Sequence, residues 1–253
     1  MNIVTIMNYP NDRNANTLCL MWMYFIQKNC RKHDSIHILS SQPLNIYLKS
    51  RFKQYNNISY DVRSEWKPKT FLHNLQNEHN IKFKLYNLCH LDFPYIFLDC
   101  DCMVLDDPHY LWEKRNDKPL IAINHQTAIN NRDWNFINTG VLIVGQSRIF
   151  DFKQIIQAMI DNEFKLEIGG CDQPFIWNYF KRIEYDYTHP EVTSQWNSCS
   201  DYNTVFRDDN GNWTGFTHGL ENNHKVSIHH YWNTKPWHTN CPIFENFQRF
   251  ITK

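Results

Sequence analysis

Two aspartates, Asp99 and Asp101, stand one residue apart directly after the apolar segment Tyr-Ile-Phe-Leu at 95–98. In an extended chain, residues two positions apart project from the same face, so these carboxylates would repel each other unless a cation joined them. Hard divalent ions such as Mg²⁺ and Mn²⁺ take oxygen ligands and also bind phosphate oxygens. The pair alone therefore predicts either a divalent ion that binds a phosphorylated ligand or a solvated strand end or turn cap.

A second group of polar and aromatic residues lies near the end of the chain, where residues 228–237 read Ile-His-His-Tyr-Trp-Asn-Thr-Lys-Pro-Trp. A neutral histidine is a good third metal ligand and favours Mn²⁺ over Mg²⁺. Lys235 offers a compact positive charge for a phosphate group, and Pro236 would fix the backbone beside it. The alternative is a buried aromatic turn that binds nothing.

The adjacent histidines His229 and His230 cannot both reach one metal ion, because neighbouring residues of an extended segment point to opposite faces. Alternation places His230 on the same face as Val226 and Ile228, which would bury it among apolar neighbours. Either histidine is a candidate ligand, and if it is His230 the strand must end or bend near His229.

The elements that would position these residues follow an alternating β and α pattern. Residues 2–7 predict a buried strand, a helix follows from Thr17 to about Cys30, and residues 35–39 predict a second strand. Such an opening is typical of the nucleotide-binding half of an α/β protein. The remaining predicted elements are strands at 58–62, 95–98, 120–123 and 136–144 and helices at 44–58, 66–91, 150–162, 173–180 and 242–251. The tail from residue 184 is predicted to be rich in loops.

No linker or internal repeat divides the sequence, and its 253 residues suffice for one large domain. We therefore expect a single domain over 1–253, with about 1–105 holding the nucleotide and about 106–253 completing the site. Polar side chains at the carboxyl ends of strands would form the site, as in other open α/β sheets.

The composition excludes several classes of protein. Lys and Arg number 26, as do Asp and Glu, so the chain lacks the basic excess of a nucleic-acid binder. The eight cysteines contain no Cys-x-x-Cys pair, which argues against a structural zinc site. No run approaches the roughly 18–20 apolar residues of a membrane span, and no signal segment is recognisable, so we expect a cytoplasmic protein. The 9 tryptophans suit either sugar stacking or a large aromatic core.

Four motifs occur in one order along the chain, and together they resemble glycosyltransferase family 8, the family of glycogenin. They are listed here in chain order as Phe97-Leu98-Asp99-Cys100-Asp101, Asn138-Thr139-Gly140, Gly169-Gly170-Cys171-Asp172-Gln173 and His230-Tyr231-Trp232-Asn233-Thr234-Lys235-Pro236-Trp237. Two departures stand out, because Cys171 is inserted in the third motif and Asn233 replaces the family's glycine in the fourth. Asparagine tolerates left-handed backbone angles better than other non-glycine residues.

The resemblance implies a fold and a reaction. The fold would be of the GT-A type, an α/β sandwich around a mixed, mostly parallel twisted sheet. The reaction would be transfer of a sugar from a UDP-sugar to a carbohydrate or protein-linked glycan acceptor, with retention at the anomeric carbon. Asp99, Asp101 and His230 would hold Mn²⁺ or Mg²⁺, and Lys235 would neutralise charge on the leaving diphosphate.

The resemblance also assigns residues to the donor. Asp172 or Gln173 would lie against the anomeric carbon, Asn138 would hydrogen-bond the donor sugar, and Cys100 would lie between the two metal ligands. The remaining donor residues are Thr5, Met7 and Tyr9 at the uracil base and Lys82 near the sugar, with Lys84 as the alternative to Lys82. Asn124 is expected to face the sugar, and the pair Trp196-Asn197 is expected beside the acceptor.

Two other functions stay open from the sequence. The chain would be a catalytically silent nucleotide-sugar binding protein if Cys171 and Asn233 mark a loss of activity. A metal-dependent phosphohydrolase would use the same carboxylates, but it would need further ligands for a second metal ion. The sequence shows no further cluster of His and Asp at suitable spacing.

Overall fold

The computed structural model describes most of the chain. The described residues are 1–7, 13–41, 43–44, 46–54, 57–63, 78–124, 137–161, 172–199, 203–207, 209–210, 212–217, 224–231, 235–238 and 241–251. The strands, in chain order, are β1 Asn2–Ile6, β2 Ser35–Ser40, β3 Ile58–Val62, β4 Tyr95–Leu98, β5 Cys102–Val104, β6 Leu120–Asn124, β7 Ile137–Val144, β8 Ser198–Cys199, β9 Asn203–Arg207, β10 Trp213–Thr217, β11 His224–Lys225 and β12 Ile228–His230. The helices are α1 Arg13–Asn29, α2 Ile46–Phe52, α3 Glu78–His90, α4 His109–Lys114, α5 Phe152–Asp161, α6 Gln173–Arg182 and α7 Pro242–Ile251.

The main sheet has six strands in the order β3-β2-β1-β4-β7-β6. Strands β1 to β4 run parallel to their neighbours, whereas β7 lies antiparallel between β4 and β6. Every residue of β4 and β7 is buried, which explains why these strands are continuous apolar runs without the alternation of a half-exposed strand. The mixed, mostly parallel sheet predicted from the sequence is confirmed.

Alternate residues of β4 pack on the two faces of this sheet. Tyr95 and Phe97 belong to the hydrophobic cluster formed with α3, α5 and α6, whereas Ile96 and Leu98 belong to the cluster on the opposite face, which includes Trp22 of α1. The sheet is therefore sandwiched between two layers of helices, and its strand ends are fixed from both sides.

Two small sheets follow the main one. In the first, β12 lies between β5, its antiparallel partner, and β8, its parallel partner. The register pairs Ile228 with Val104 and His230 with Cys102. This pairing returns a segment from near the end of the chain to the aspartates that follow β4. The second small sheet has the order β11-β10-β9.

Several elements differ from their predictions. The first helix begins at Arg13, four residues before the predicted Thr17. The tail beyond residue 184 was predicted to be loop-rich, but it contains β8 to β12. These strands are two to five residues long and form by pairing with distant segments, so they carry no periodic signal of their own. Among the described segments, no helix has the length and apolarity to cross a bilayer.

Candidate active site

Asp99 and Asp101 lie in a turn at the carboxyl end of β4. The N–H of Cys102 donates to the carbonyl of Asp99 at 2.9 Å, which closes a four-residue turn, and the N–H of Asp99 donates to the carbonyl of Gly140 at 2.9 Å. The prediction that the two carboxylates share a face of an extended strand is therefore wrong in its geometry. This turn takes the chain from β4 in the main sheet to β5 in the small one. Cys100, between the aspartates, is half-buried.

Lys84 of α3 joins two of the site's carboxylates. Its Nζ atom lies 2.9 Å from Oδ1 of Asp99 and 3.0 Å from Oδ2 of Asp172, and it also donates to the carbonyl of Thr139 at 3.2 Å. The ammonium lies over the ring of Phe97. Burial alone would lower the pKa of Lys84, but the charges of Asp172 and Asp99 outweigh burial and raise it. Lys84 is therefore a buried, permanently charged bridge.

Lys84 was the alternative to Lys82 in the sequence, and it is the one whose side chain the structure shows in the site. The side chain of Lys82 lies outside the described residues, as do Tyr9 and Cys171. The same holds for Asn233 and for the side chain of Asn124. The roles predicted for these residues stay predictions.

His230 completes the group from the small sheet. Its Nε2 atom lies 3.4 Å from Oδ1 of Asp101 and 3.9 Å from Oδ2 of Asp99. Its Nδ1 atom lies 3.1 Å from Oδ1 of Asn197. Strand β12 passes through His229 and ends at His230, so the strand end that the prediction required near His229 falls one residue later.

His229 occupies different surroundings from its neighbour. Its ring lies edge-on to Tyr231, with 4.7 Å between the ring centroids, and is buried. Burial and, to a smaller degree, the neighbouring His230 lower the pKa of His229 to about 3. His229 is therefore a neutral packing residue, and His230 is the histidine that faces the carboxylates.

Lys235 binds the other aspartate of the pair. Its Nζ atom forms a short ion pair with Oδ2 of Asp101 and donates to the carbonyl of Tyr231 at 2.7 Å. The N–H of Tyr231 in turn donates to the carbonyl of Asp101 at 3.0 Å, so backbone and side chain hold the same two segments together. Burial would lower the pKa of Lys235, but Asp101 outweighs it and raises the pKa.

The two aspartates differ in their electrostatics. Burial is the largest influence on Asp99 and raises its pKa, and repulsion by Asp101 and Asp172 adds to this effect. Burial also acts on Asp101, but His230 and Lys235 outweigh it and lower the pKa of Asp101. A cation that lay between them would relieve the repulsion at Asp99.

The donor set fits a hard divalent ion. Carboxylate oxygens of Asp99 and Asp101 converge on one imidazole nitrogen of His230. Three carboxylates, with that of Asp172 included, face two ammonium groups, so the group keeps an excess of negative charge when all three are ionised. Oxygen and imidazole ligands with excess negative charge suit Mn²⁺ or Mg²⁺.

A second grouping includes a cysteine that the sequence reasoning did not consider as a ligand. Donor atoms of Asp101, Cys102 and His230 lie within 4.8 Å of one another. The Sγ atom of Cys102, however, donates to the carbonyl of Gly140 at 3.3 Å, and sulfur ligands suit Zn²⁺ or Cu⁺ better than Mn²⁺. We therefore retain Asp99 in the predicted ligand set.

Strand β7 reaches the site through an irregularity. Its register with β6 shifts between the pairs Ala122–Leu142 and Ile123–Asn138, so the intervening residues leave the regular pairing with β6. The buried Asn138 accepts a hydrogen bond from the N–H of Gly140 at 2.9 Å. The Asn-Thr-Gly motif thus forms a bulge that borders the carboxylate group.

Residues of the third motif lie at the start of α6. Asp172 precedes the helix as its N-cap residue, but its side chain makes no capping hydrogen bond and pairs with Lys84 instead. Gln173, the first helical residue, is buried. Asp172 is therefore joined to Asp99 through the shared lysine, and Gln173 follows Asp172 directly in the chain.

The predicted base-binding residues occupy the carboxyl end of β1, which is the neighbour of β4 in the sheet. Thr5 and Met7 are buried. The hydroxyl of Thr5 has no hydrogen-bond partner among the residues that the structure describes. At the predicted acceptor side, Trp196 is 5% exposed and stacks on Tyr110, so it is a packing residue and not an open sugar platform.

Solved structures with the same architecture are glycosyltransferases. The galactosyltransferase LgtC, solved with donor and acceptor sugar analogues, is 16% identical with a TM-score of 0.58 over 100% of this chain and 95% of LgtC. GlyE of Streptococcus pneumoniae is 17% identical with a TM-score of 0.62, over 98% of this chain and 59% of GlyE. Mouse xyloside xylosyltransferase 1 is 12% identical with a TM-score of 0.54, over 93% of this chain and 99% of that protein.

These similarities confirm the predicted α/β fold of the GT-A type and the resemblance to GT-A glycosyltransferases at the level of the fold. No protein-family model matches the sequence, and no match is found among curated protein sequences. Membership of glycosyltransferase family 8 therefore stays a prediction that rests on the motifs.

Proposed function

We propose that this protein is a metal-dependent glycosyltransferase that moves a sugar from a UDP-sugar to a hydroxyl group of a carbohydrate or protein-linked glycan, with retention at the anomeric carbon. The observation that carries the proposal is the convergence of Asp99, Asp101, His230 and Lys235 at one edge of a GT-A sheet. An oxygen- and nitrogen-rich metal site beside a partly exposed lysine suits a nucleoside diphosphate.

Asp99, Asp101 and His230 would hold the ion, Mn²⁺ or Mg²⁺. When bound, the ion would supply positive charge to the diphosphate, which becomes more negative as the sugar departs. Lys235 would add a second positive charge on the same side. Its ammonium already lies at Asp101, and it is 27% exposed, so a phosphate oxygen can reach it.

Asp172 and Gln173 would face the sugar. A carboxylate beside the anomeric carbon stabilises the positive charge that the sugar ring acquires as the leaving group departs. The ion pair between Asp172 and Lys84 withdraws electron density from that carboxylate, and this favours an electrostatic role over attack on the sugar. Retention then needs no enzyme nucleophile, because the leaving phosphate can direct the acceptor to the same face.

The remaining contacts with the sugar donor are proposed from the family resemblance and from where these residues lie relative to the main sheet. Thr5 and Met7 would contact the uracil base together with Tyr9, and a ligand would give the buried hydroxyl of Thr5 the partner it lacks among the described residues. Asn138 would hydrogen-bond the donor sugar, and Lys82 would lie near it. The Asp172–Lys84–Asp99 bridge would fix the sugar end of the donor relative to its diphosphate end.

The proposal is tested by incubating the protein with UDP-, GDP- and ADP-sugars and measuring hydrolysis or transfer with Mn²⁺ and with EDTA. We expect turnover of a UDP-sugar that needs the metal ion and is lost in Asp101→Asn. Tight metal-dependent binding of UDP without turnover of any donor, with a broad panel of acceptors, would instead identify a silent nucleotide-sugar binding protein. Metal-dependent hydrolysis of simple phosphate esters would identify a phosphohydrolase.

The phosphohydrolase alternative receives no support from the geometry. Within the part of the chain that the structure describes, the potential metal ligands form a single cluster around Asp101 and His230. A two-metal hydrolase would need a second group about 3.5–4 Å from the first.

A further inference from the structure

The imidazole of His230 has different neighbours at its two nitrogens. Nε2 faces the carboxylates of Asp101 and Asp99, at 3.4 and 3.9 Å. Nδ1 faces the amide oxygen of Asn197 at 3.1 Å. Both His230 and Asn197 are buried, at 2% and 5% exposure, so water has little access to this hydrogen bond.

This arrangement suits one form of the ring once a metal ion is bound. A neutral imidazole carries one N–H, and an amide oxygen can only accept a hydrogen bond. With an ion between Nε2 and the carboxylates, the hydrogen lies on Nδ1, where the amide oxygen of Asn197 accepts it, whereas without the ion Nε2 also faces acceptors. A metal ion bound between those carboxylates needs the lone pair of Nε2, since only an unprotonated ring nitrogen can be a ligand.

The backbone fixes Asn197 relative to His230. Asn197 directly precedes β8, and the parallel pairing of β8 with β12 places Ser198 opposite His229 and Cys199 opposite His230. On the other side of Asn197, Trp196 stacks on Tyr110 at 5.4 Å with nearly parallel rings. The amide is thus held from both sides, and its distance to the imidazole does not depend on a flexible loop.

Gly140 forms the opposite wall of the histidine pocket. A Cβ atom built on Gly140 would lie 2.2 Å from Cε1 of His230, well inside van der Waals contact. The ring can occupy its position only because β7 has a glycine there. Asn197 and Gly140 together fix the position and the orientation of the imidazole.

We propose that Asn197 is a positioning residue that holds His230 in the Nδ1–H form and so presents Nε2 to the metal ion of the donor site. This inference rests on the proposed function, because a metal ion at Nε2 is what leaves the ring hydrogen on Nδ1. It also gives Asn197 a role different from the acceptor contact that the family resemblance implied.

The first test reads the tautomer directly. Nitrogen-15 NMR of the histidine-labelled protein with saturating Mg²⁺ and UDP, which are diamagnetic, distinguishes Nδ1–H from Nε2–H, and His230→Gln assigns the signal. We expect an Nδ1–H ring with a metal-bound Nε2 in the wild type and a mixture of forms in Asn197→Leu, which removes the acceptor and keeps a branched side chain. An Nε2–H ring in wild-type protein that holds Mg²⁺ and UDP would overturn the inference.

The second test measures Mn²⁺ affinity in the presence of UDP by electron paramagnetic resonance. We expect Asn197→Leu to weaken Mn²⁺ binding by about 10–100-fold, as is usual when the partner of a metal-bound histidine is lost. Asn197→Asp keeps an acceptor at the same place and should stay within about threefold of the wild type on the same scale. Gln195→Leu is the matched control, because Gln195 lies in the preceding turn and bonds Ser227 instead of His230.

Thermal unfolding of each variant separates positioning from a general packing role. If Asn197→Leu and Asn197→Asp lose Mn²⁺ affinity equally, or if Asn197→Leu raises only the KM for the acceptor, Asn197 does not act through His230 and the proposal fails. If the wild type binds no Mn²⁺ with UDP, the proposed function fails, whereas wild-type binding that Asn197→Leu leaves unchanged contradicts the role of Asn197 alone.

Discussion

The two lysines of the site have opposite surroundings. Lys84 contacts two carboxylates and a carbonyl, is 8% exposed, and comes from a helix packed on the main sheet. Lys235 pairs with Asp101 and donates to the carbonyl of Tyr231, is 27% exposed, and follows the small sheet. The first lysine has its hydrogen-bonding capacity filled by the protein. The second is more exposed to solvent, so a ligand can reach it. The contrast suggests that one half of the site is a fixed frame and the other half is where the diphosphate binds.

The largest expected effect concerns stability and separates the two lysines. Lys84→Met leaves the carboxylates of Asp99 and Asp172 without their shared cation, and the loss of one partner from a buried ion pair typically costs about 3–5 kcal/mol. Lys235→Met should cost less, because the ammonium of Lys235 is 27% exposed and Asp101 keeps His230 as a partner. Urea denaturation monitored by circular dichroism measures both values. Equal losses of unfolding free energy in the two variants would contradict the distinction between a fixed half of the site around Lys84 and a ligand-binding half around Lys235.

The next effect concerns binding of UDP. Asp101→Asn removes the carboxylate that contacts both His230 and Lys235, so the metal site loses a charged ligand and the lysine loses its partner. We expect UDP binding to require Mn²⁺ or Mg²⁺ and to be nearly abolished in this variant. Isothermal titration calorimetry with and without EDTA checks the prediction. Equal affinity of the wild-type protein for UDP in both buffers would show that the carboxylates do not act through a metal ion.

A smaller effect distinguishes the two adjacent histidines. His230→Ala should lower turnover at least tenfold, or about 1.4 kcal/mol of transition-state stabilisation. His229→Ala should act mainly on stability, because that ring packs against Tyr231 and does not face the carboxylates. Rates measured while Mn²⁺ is titrated decide between them. A raised Mn²⁺ requirement in His229→Ala alone would mean that the wrong histidine has been assigned to the metal ion.

The sequence predicted the main sheet and the positions of the motifs better than it predicted the contacts among their side chains. The apolar runs of β4 and β7 and the order of the four motifs were sufficient for the α/β sheet and for the aspartates that follow β4. The turn at Asp99–Asp101 was not predicted, because hydrophobic periodicity does not show where the chain leaves one sheet and enters another.

Contacts between residues far apart in the sequence could not be predicted, for a related reason. The pairing of Cys102 with His230 joins residues that lie far apart in the sequence, and it depends on the register of short strands. The contact between Asn197 and His230 follows from that register. The choice of Lys84 over Lys82 depends on which side of α3 faces the sheet. Phe83 and Lys84 are consecutive and both buried, so α3 does not follow a simple amphipathic pattern at these positions.

The smallest expected effect tests whether Cys102 belongs to the metal site. Its sulfur lies near Asp101 and His230, but it donates to the carbonyl of Gly140, and it is almost fully buried beneath the imidazole. If Asp99 is the second oxygen ligand, Cys102→Ser keeps the hydrogen bond and should change Mn²⁺ affinity by less than about threefold, which corresponds to under 1 kcal/mol. Asp99→Asn serves as the comparison and should weaken Mn²⁺ binding far more. If Cys102→Ser weakens Mn²⁺ binding more than Asp99→Asn does, as measured by electron paramagnetic resonance with UDP present, the sulfur of Cys102 is a ligand. That result would also shift the expected metal towards Zn²⁺, because thiolate ligands favour softer ions.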